Sequence, residues 1–264
     1  LTRGTKVPTS PQNPSSSQSA AREIAALQKM LLPKDPLRIH GYELAVHYQP
    51  CEAAGGDFYG WGPGDGEIVG MGVADVAGHG LRAAVVMAML RTWMVAFRYF
   101  NRPMTSIAKD LNSFFAEVGD LQTFLTIVLL KLNRQTGEFS IRNCGHPSPK
   151  LRRCDGTVAT IEEGRMLPLG IEFEEQEVPE ATGVLHPGQA LVLYTDGVTE
   201  SKGEDGSFFD DRLDDAIANS DGSAKAIIDG ITRSLAAHRG ERRQRDDECI
   251  LVIRRDVRRI EQTD

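Results

Sequence analysis

Apolar residues first recur at helical spacing at Ile24, Leu27 and Leu31, which predicts a helix from Ser19 to Leu32 that Pro33 stops. Alternation then takes over. Tyr42, Leu44, Val46 and Tyr48 point one way, as in a half-buried strand. A second strand is expected over about Glu67 to Ala74, after the turn Gly62-Pro63-Gly64-Asp65-Gly66. Leu81 to Phe100 reads as a buried helix rich in alanine and methionine, with Met87, Met89 and Met94 as core. Thr105 to Val118 reads as a helix with Ile107, Leu111, Phe114 and Val118 on its stripe. Phe124 to Leu132 is a continuous apolar strand, and Asn133 to Gly137 predicts a hairpin into Glu138 to Arg142. A further hairpin around Asp155-Gly156 joins Lys150–Arg153 to Thr157–Ile161. Residues 162–180 are acidic and read mostly as loop. A strand from Ala190, helices near Asp210 to Asn219 and Ser223 to His238, and a last strand over Cys249 to Ile253 follow. Hairpin-linked strands with helices arriving in pairs point to an α+β fold with antiparallel sheets.

Composition narrows the setting. The 264 residues, 41% of them apolar, suffice for a sizeable core in one large domain or two small ones. A net charge of −7 and the lack of a basic face argue against nucleic acid as a partner and suit a site that gathers cations. Cys51, Cys144, Cys154 and Cys249 show no close pairing, so reduced thiols in a cytoplasmic setting are expected, with neither a zinc site nor a disulfide framework. Residues 1–18 hold no carboxylate, three prolines and Ser15-Ser16-Ser17, the composition of a disordered linker. No secretory signal or membrane-length apolar run is visible, and an opening Leu1 suits a piece of a longer protein, with room for a membrane-attached part elsewhere in it.

Four aspartates carry the chemistry. They lie in Gly55-Gly56-Asp57-Phe58, Ala74-Asp75-Val76-Ala77-Gly78-His79-Gly80, Thr195-Asp196-Gly197 and Arg245-Asp246-Asp247. Three border the apolar runs Ile68–Val73, Ala190–Thr195 and Cys249–Ile253, so they fall at strand ends. Carboxylates gathered there hold hard divalent cations through oxygen, and paired cations activate water and clamp a phosphoryl group. Asp75 is the clearest of the four, because a mere helix cap requires neither two glycines nor a histidine. Singly, Asp57 and Asp196 also suit ordinary turns, and Asp246 suits a loop acid balanced by nearby arginines.

As an ordered series the segments resemble the SpoIIE/RsbU branch of the PPM metal-dependent protein serine/threonine phosphatases. Five carry the likeness: Ala54 to Tyr59, Ala74 to Gly80, Asn143-Cys144-Gly145-His146-Pro147, Tyr194 to Glu200 and Asp246 to Leu251, within a match from about Arg22 to Arg254. Leu31-Leu32-Pro33 also resembles the end of that branch's linker helix. The resemblance implies an α-β-β-α sandwich of two antiparallel sheets flanked by helices, with the metal cluster at one end. It implies a linker/regulatory helix over 19–33, a phosphatase domain over 34–256 and a tail over 257–264. By motif position Asp75 bridges two ions, Mn²⁺ or Mg²⁺, and the Val76 carbonyl is an added ligand. Asp57 serves one side and Asp196 and Asp246 the other; either Asp246 or Asp247 points inward, and the family pattern favours the first. No phosphoenzyme is needed, so no cysteine or serine nucleophile is expected.

The implied substrate is a phosphorylated partner protein, a STAS-type anti-anti-sigma factor in a bacterial partner-switching pathway. An upstream sensor or regulator and a homodimer through residues 19–32 are the other partners implied. Two rivals remain: a binding or sensor module on the same fold, and a phosphohydrolase of small molecules. His79 and His146 invite acid or orienting roles, although packing beside glycines suits the first and holding a loop suits the second. Some family members carry a phosphate-binding arginine near the metals, and no arginine ahead of Gly55 clearly takes that place. Arg239, Arg242, Arg243 and Arg245 either receive a phosphorylated partner or, as such runs more often do, are solvated and offset nearby acids.

Overall fold

The computed structural model of the chain describes residues 23, 25–33, 37–52, 55–62, 66–78, 81–96, 103–117, 124–171 and 180–257. The expected linker over 1–18, the start of the first helix with Ile24, residues 97–100 of the alanine-rich helix, Val118, the tail beyond Val257, and His79 with Gly80 lie outside the described residues.

In chain order the elements are α1 (25–31), β1 (Tyr42–Gln49), β2 (Phe58–Gly62), β3 (Ile68–Val76), α2 (Leu81–Ala96), α3 (Met104–Glu117), β4 (Leu125–Asn133) and β5 (Glu138–Cys144). Then come β6 (Lys150–Arg152), β7 (Val158–Thr160), β8 (Arg165–Met166), β9 (Ala181–Val184), β10 (Ala190–Tyr194), α4 (Asp196–Thr199), α5 (Asp210–Ala218), α6 (Ala224–Arg239) and β11 (Glu248–Arg255). One sheet runs β1-β11-β10-β6-β7 and the other β2-β3-β4-β5-β8, with β9 on the same edge of β5 as β8. Every pairing of these strands is antiparallel except β5 with β8.

The continuous apolar strands explain the layering. A strand buried on both faces feeds two cores. Val128, Leu130 and Leu132 of β4 meet Leu251 and Ile253 of β11 between the sheets. Ile127 and Leu129 point the other way, onto Met87, Leu90, Ile107 and Leu111 of α2 and α3. Ile250 and Val252 of β11 likewise pack under Leu213, Ile217, Ile227 and Ile231 of α5 and α6. The result is helix, sheet, sheet, helix: the α-β-β-α sandwich expected of an α+β chain. β1, which alternates, has Leu44, Val46 and Tyr48 against the inter-sheet core. Met87 and Met94 are core, as expected, while Met89 is half-buried.

The helix α1 departs from its expected face. Leu27 is 60% exposed and Gln28 only 5%. The cause is polar: Gln28 is drawn inward by two backbone groups of Gly55, which need partners once they are buried. Arg91 of α2 donates from Nε to the Leu31 carbonyl at 2.8 Å and ties down the end of α1.

Candidate metal centre

Strand pairing assembles the acids. Phe58 pairs with Ala74, which sets Asp57, just ahead of β2, beside Asp75 near the end of β3. Tyr194 pairs with Ile250, which sets Asp196, at the start of α4, beside the 246–247 step ahead of β11. One bond joins the two sheets at this point: Thr195 donates from Oγ1 to Asp57 Oδ2 at 2.7 Å, while the Cys249 N–H donates to Thr195 Oγ1 at 3.0 Å. Asp57 is thereby held in one orientation, although it is almost fully buried. Beyond Asp75 the chain reverses at Gly78, whose φ of +97° lies in the region that favours glycine.

Asp247 holds the backbone at Cys51, Gly56 and Asp57. Its Oδ1 accepts the Cys51 N–H at 2.8 Å, and its Oδ2 accepts the Gly56 N–H at 2.7 Å and the Asp57 N–H at 3.4 Å. Both oxygens of Asp247 are therefore engaged by the backbone. Asp246 is exposed, and its Oδ1 accepts the Asp247 N–H at 2.9 Å. Gly56 lies close over β3: a Cβ there would sit 2.7 Å from the Val76 carbonyl oxygen and 3.2 Å from Asp75 Oδ1. The absence of a side chain at 56 thus keeps those two oxygens clear.

Charge shows how closely the acids approach. Burial, then the charge of Asp75, hold the Asp57 carboxyl well above the usual range, against the lowering effect of the Thr195 hydroxyl. Burial, then the charges of Asp196, Asp246 and Asp247, push Asp75 up to about 8. Burial, then Asp246 and Glu200, push Asp196 up to about 6. The charges that perturb these three carboxyls are those of other carboxylates. Among the described residues, no three His, Cys, Asp or Glu side chains already close on one point as a ligand set, and the like charges of the acids repel one another. A divalent cation relieves that repulsion, and carboxylates with a backbone carbonyl are the hard oxygen donors that suit Mg²⁺ or Mn²⁺. The residues fit such an ion.

Other expected residues take other positions. His146 is fully buried; Asn143 accepts its N–H at 2.8 Å and donates from Nδ2 to its carbonyl at 2.9 Å, so the motif from Asn143 to Pro147 braces its own loop. His146 Nδ1 lies 2.7 Å from Thr126 Oγ1, and burial lowers the imidazole pKa to about 3, which keeps the ring neutral. Of the arginines, Arg239 donates to Glu248 at 2.7 Å and offsets a buried acid.

Two functional supports escaped the sequence reading. Thr195 was part of a motif without a role, and its partner Asp57 is 138 positions away. Gln28 left a detectable signal, because it stands four residues after Ile24 and three before Leu31, a polar group on an apolar stripe.

The family model of Stage II sporulation protein E (SpoIIE) matches residues 65–256, a span that includes Asp75, Asp196 and Asp246. The phosphoserine phosphatase RsbU of Bacillus subtilis (strain 168) is 27% identical over 239 residues, covering 89% of this chain and 70% of that protein. The solved SiaA-PP2C domain of Pseudomonas aeruginosa matches with a TM-score of 0.77 at 22% identity, over 92% of this chain and 98% of that one. The RsbU and RsbW domains of Rv1364c from Mycobacterium tuberculosis match with a TM-score of 0.69 at 27% identity, over 82% of this chain and 60% of that one. The family match covers well over half of the chain, and the fold is that of solved PP2C-type domains: the chain belongs to the SpoIIE family.

Proposed function

We propose that this chain hydrolyses phosphoserine or phosphothreonine on a partner protein, with two divalent cations, Mn²⁺ or Mg²⁺, at the carboxylate centre. The observation that carries this reading is geometric: strand pairing and the Thr195–Asp57 bond bring the acid-bearing ends of both sheets together. Asp57, Asp75, Asp196 and Asp246, with the Val76 carbonyl, would be the groups that hold the cations. Asp247 positions Cys51, Gly56 and Asp57 by accepting their backbone N–H groups. Cations bound there supply Lewis-acid charge for a phosphoryl group and make water a competent nucleophile near neutral pH. The chain's own groups supply preorganisation. Thr195 fixes the Asp57 carboxylate, Gly56 keeps the Asp75 and Val76 oxygens accessible, and the buried setting strengthens each electrostatic contact.

In this reading residues 34–256 form the phosphatase unit and 19–33 a regulatory helix, with linker and tail on either side. Gln28 supports the regulatory part: it bonds both backbone groups of Gly55, so any shift of α1 reaches the loop that carries Asp57. Leu27 and Met30, 60% and 61% exposed on α1, suit a homodimer contact that an upstream sensor would set. The partner is a phosphorylated STAS-type anti-anti-sigma factor in a partner-switching circuit on the cytoplasmic side. Among the described residues no helix is long and apolar enough to cross a membrane.

The test is hydrolysis of a phosphoserine peptide against a nucleoside monophosphate, both with Mn²⁺. Faster turnover of the peptide is expected. Preference for the nucleotide would favour a small-molecule phosphohydrolase, and turnover of neither would favour a binding module.

A further inference from the structure

A cleft of about 710 Å³ opens alongside Asp246 and Gly197, between the 242–246 loop and the segment 200–208. Although the chain carries a net charge of −7, Lys202, Arg242, Arg243 and Arg245 all line this cleft. Of its three acids, Glu248 is paired with Arg239, Asp246 belongs to the proposed carboxylate centre, and Glu200 is outnumbered by the four cations.

Both walls are held in place. Gln244 donates from Nε2 to the Gln49 carbonyl at 2.7 Å and to the Asp246 carbonyl at 2.8 Å, and accepts from Gln49 Nε2 at 2.7 Å. Arg243 and Arg245, on either side of this clamp, are both exposed. The opposite wall is a tight hairpin in which Lys202 bridges to Phe208 and the Gly203 N–H donates to the Ser207 carbonyl at 2.9 Å. His238 of α6 sits beneath it, with Nε2 3.2 Å from the Ser201 carbonyl and 3.1 Å from the Ser207 carbonyl. Phe208 stands 45% exposed at the rim with the Lys202 ammonium 5.1 Å from its ring centre. A second cleft of about 410 Å³ shares Glu200 and Phe208 with the first, so the two form one trough. Cations in the second arm have acidic partners, Lys150 with Asp214 and Arg165 with Glu162. The excess positive charge is confined to the arm beside Asp246.

We propose that this arm docks acidic side chains flanking the phosphorylated serine or threonine of the partner protein, with Arg243 and Arg245 as specificity-determining cations. The inference rests on the phosphatase reading above, which puts the phosphoryl group at the carboxylate centre. A peptide seated there has neighbouring residues within the cleft, and cations at a rim select among partners and steer their approach more than they add affinity. Phe208 offers an apolar contact at the junction of the two arms.

The experiment is fluorescence anisotropy with two peptides bearing a non-hydrolysable phosphonate analogue of phosphoserine, identical except for glutamate or glutamine flanks, in Mn²⁺. The wild-type chain is expected to bind the glutamate-flanked peptide about fivefold more tightly at low ionic strength, a preference that shrinks as salt screens it. Arg243→Glu is expected to remove or invert the preference. Arg233→Glu, an equal change of charge at an exposed position of α6 away from the cleft, is expected to retain it. Equal affinity for the two peptides in the wild type would overturn the proposal whether or not any variant folds, as would equal loss of preference in both variants. A glutamate preference without hydrolysis of the matching phosphoserine peptide would sink the phosphatase reading and leave the docking site standing. Hydrolysis with no flank preference in binding would do the reverse.

Discussion

Thr195 shows how a residue with no charge and no metal-ligand chemistry matters to a metal centre. Its hydroxyl donates to Asp57 and accepts from the Cys249 N–H, so one side chain ties a carboxylate of one sheet to the backbone of the other. Outer contacts of this type set ligand orientation, and Thr195→Val should weaken Mn²⁺ binding by about tenfold in calorimetry while Thr195→Ser retains it. Unchanged affinity in the valine variant would show that Asp57 needs no such support. The acids also make a prediction about pH. Asp75 titrates at about 8 in the folded chain, against 3.8 for an ordinary aspartate. Between those values the folded state binds more protons than the unfolded one, so stability falls as pH rises through the window. Asp57 and Asp196 are shifted in the same direction. In EDTA the thermal midpoint should therefore drop from pH 6 to pH 8, and Asp75→Asn should lessen the drop. Mn²⁺ should restore the midpoint at pH 8. A midpoint that is flat across that range in EDTA would remove the charge argument for the site. The acids themselves were legible, because strand-end aspartates beside glycines are a local pattern. The backbone bonds of Asp247 were not: they go to the N–H groups of Cys51, Gly56 and Asp57, far away in sequence.

At the scale of elements, the proposed regulatory role falls on α1. Gln28 makes two hydrogen bonds to Gly55, each worth about 1 kcal/mol net, and these hold the loop that leads to Asp57. Gln28→Ala should cut aryl phosphate turnover at limiting Mn²⁺ and recover most of it at saturating Mn²⁺. Equal turnover at limiting metal would reduce α1 to a packed surface helix. Its face was misjudged from the sequence because apolar spacing alone ignores what buried backbone requires. The strands β2 and β9 were not anticipated for a different reason. Gly60 lies against the Phe58 ring and Gly183 against the Phe139 ring, where added Cβ atoms would come within 2.6 Å. Aromatic rings cover what side chains would otherwise cover, and the alternation that marks a strand is lost. The helix α4 is a single turn of four residues, too short to carry any period, and Asp196 at its start looked like an ordinary turn residue.

For the whole molecule, antiparallel sheets with paired helices were legible from the order of elements, whereas the four-layer sandwich came from the family resemblance. The structure supplies its physical reason, because the apolar runs at 124–132 and 249–253 are covered on both faces. What no local pattern disclosed is that the two sheets close their acid-bearing ends on one another, since Thr195 and Asp57 meet only after the chain has folded. The proposed function requires that closure, because neither sheet alone holds all four acids. The most direct test is hydrolysis of a generic aryl phosphate by the purified chain in Mn²⁺, in EDTA, and after Asp75→Asn. Turnover in Mn²⁺ that disappears both in EDTA and in the variant is the predicted result. Turnover that survives EDTA, or persists at the wild-type rate in Asp75→Asn, would contradict a carboxylate-held metal centre.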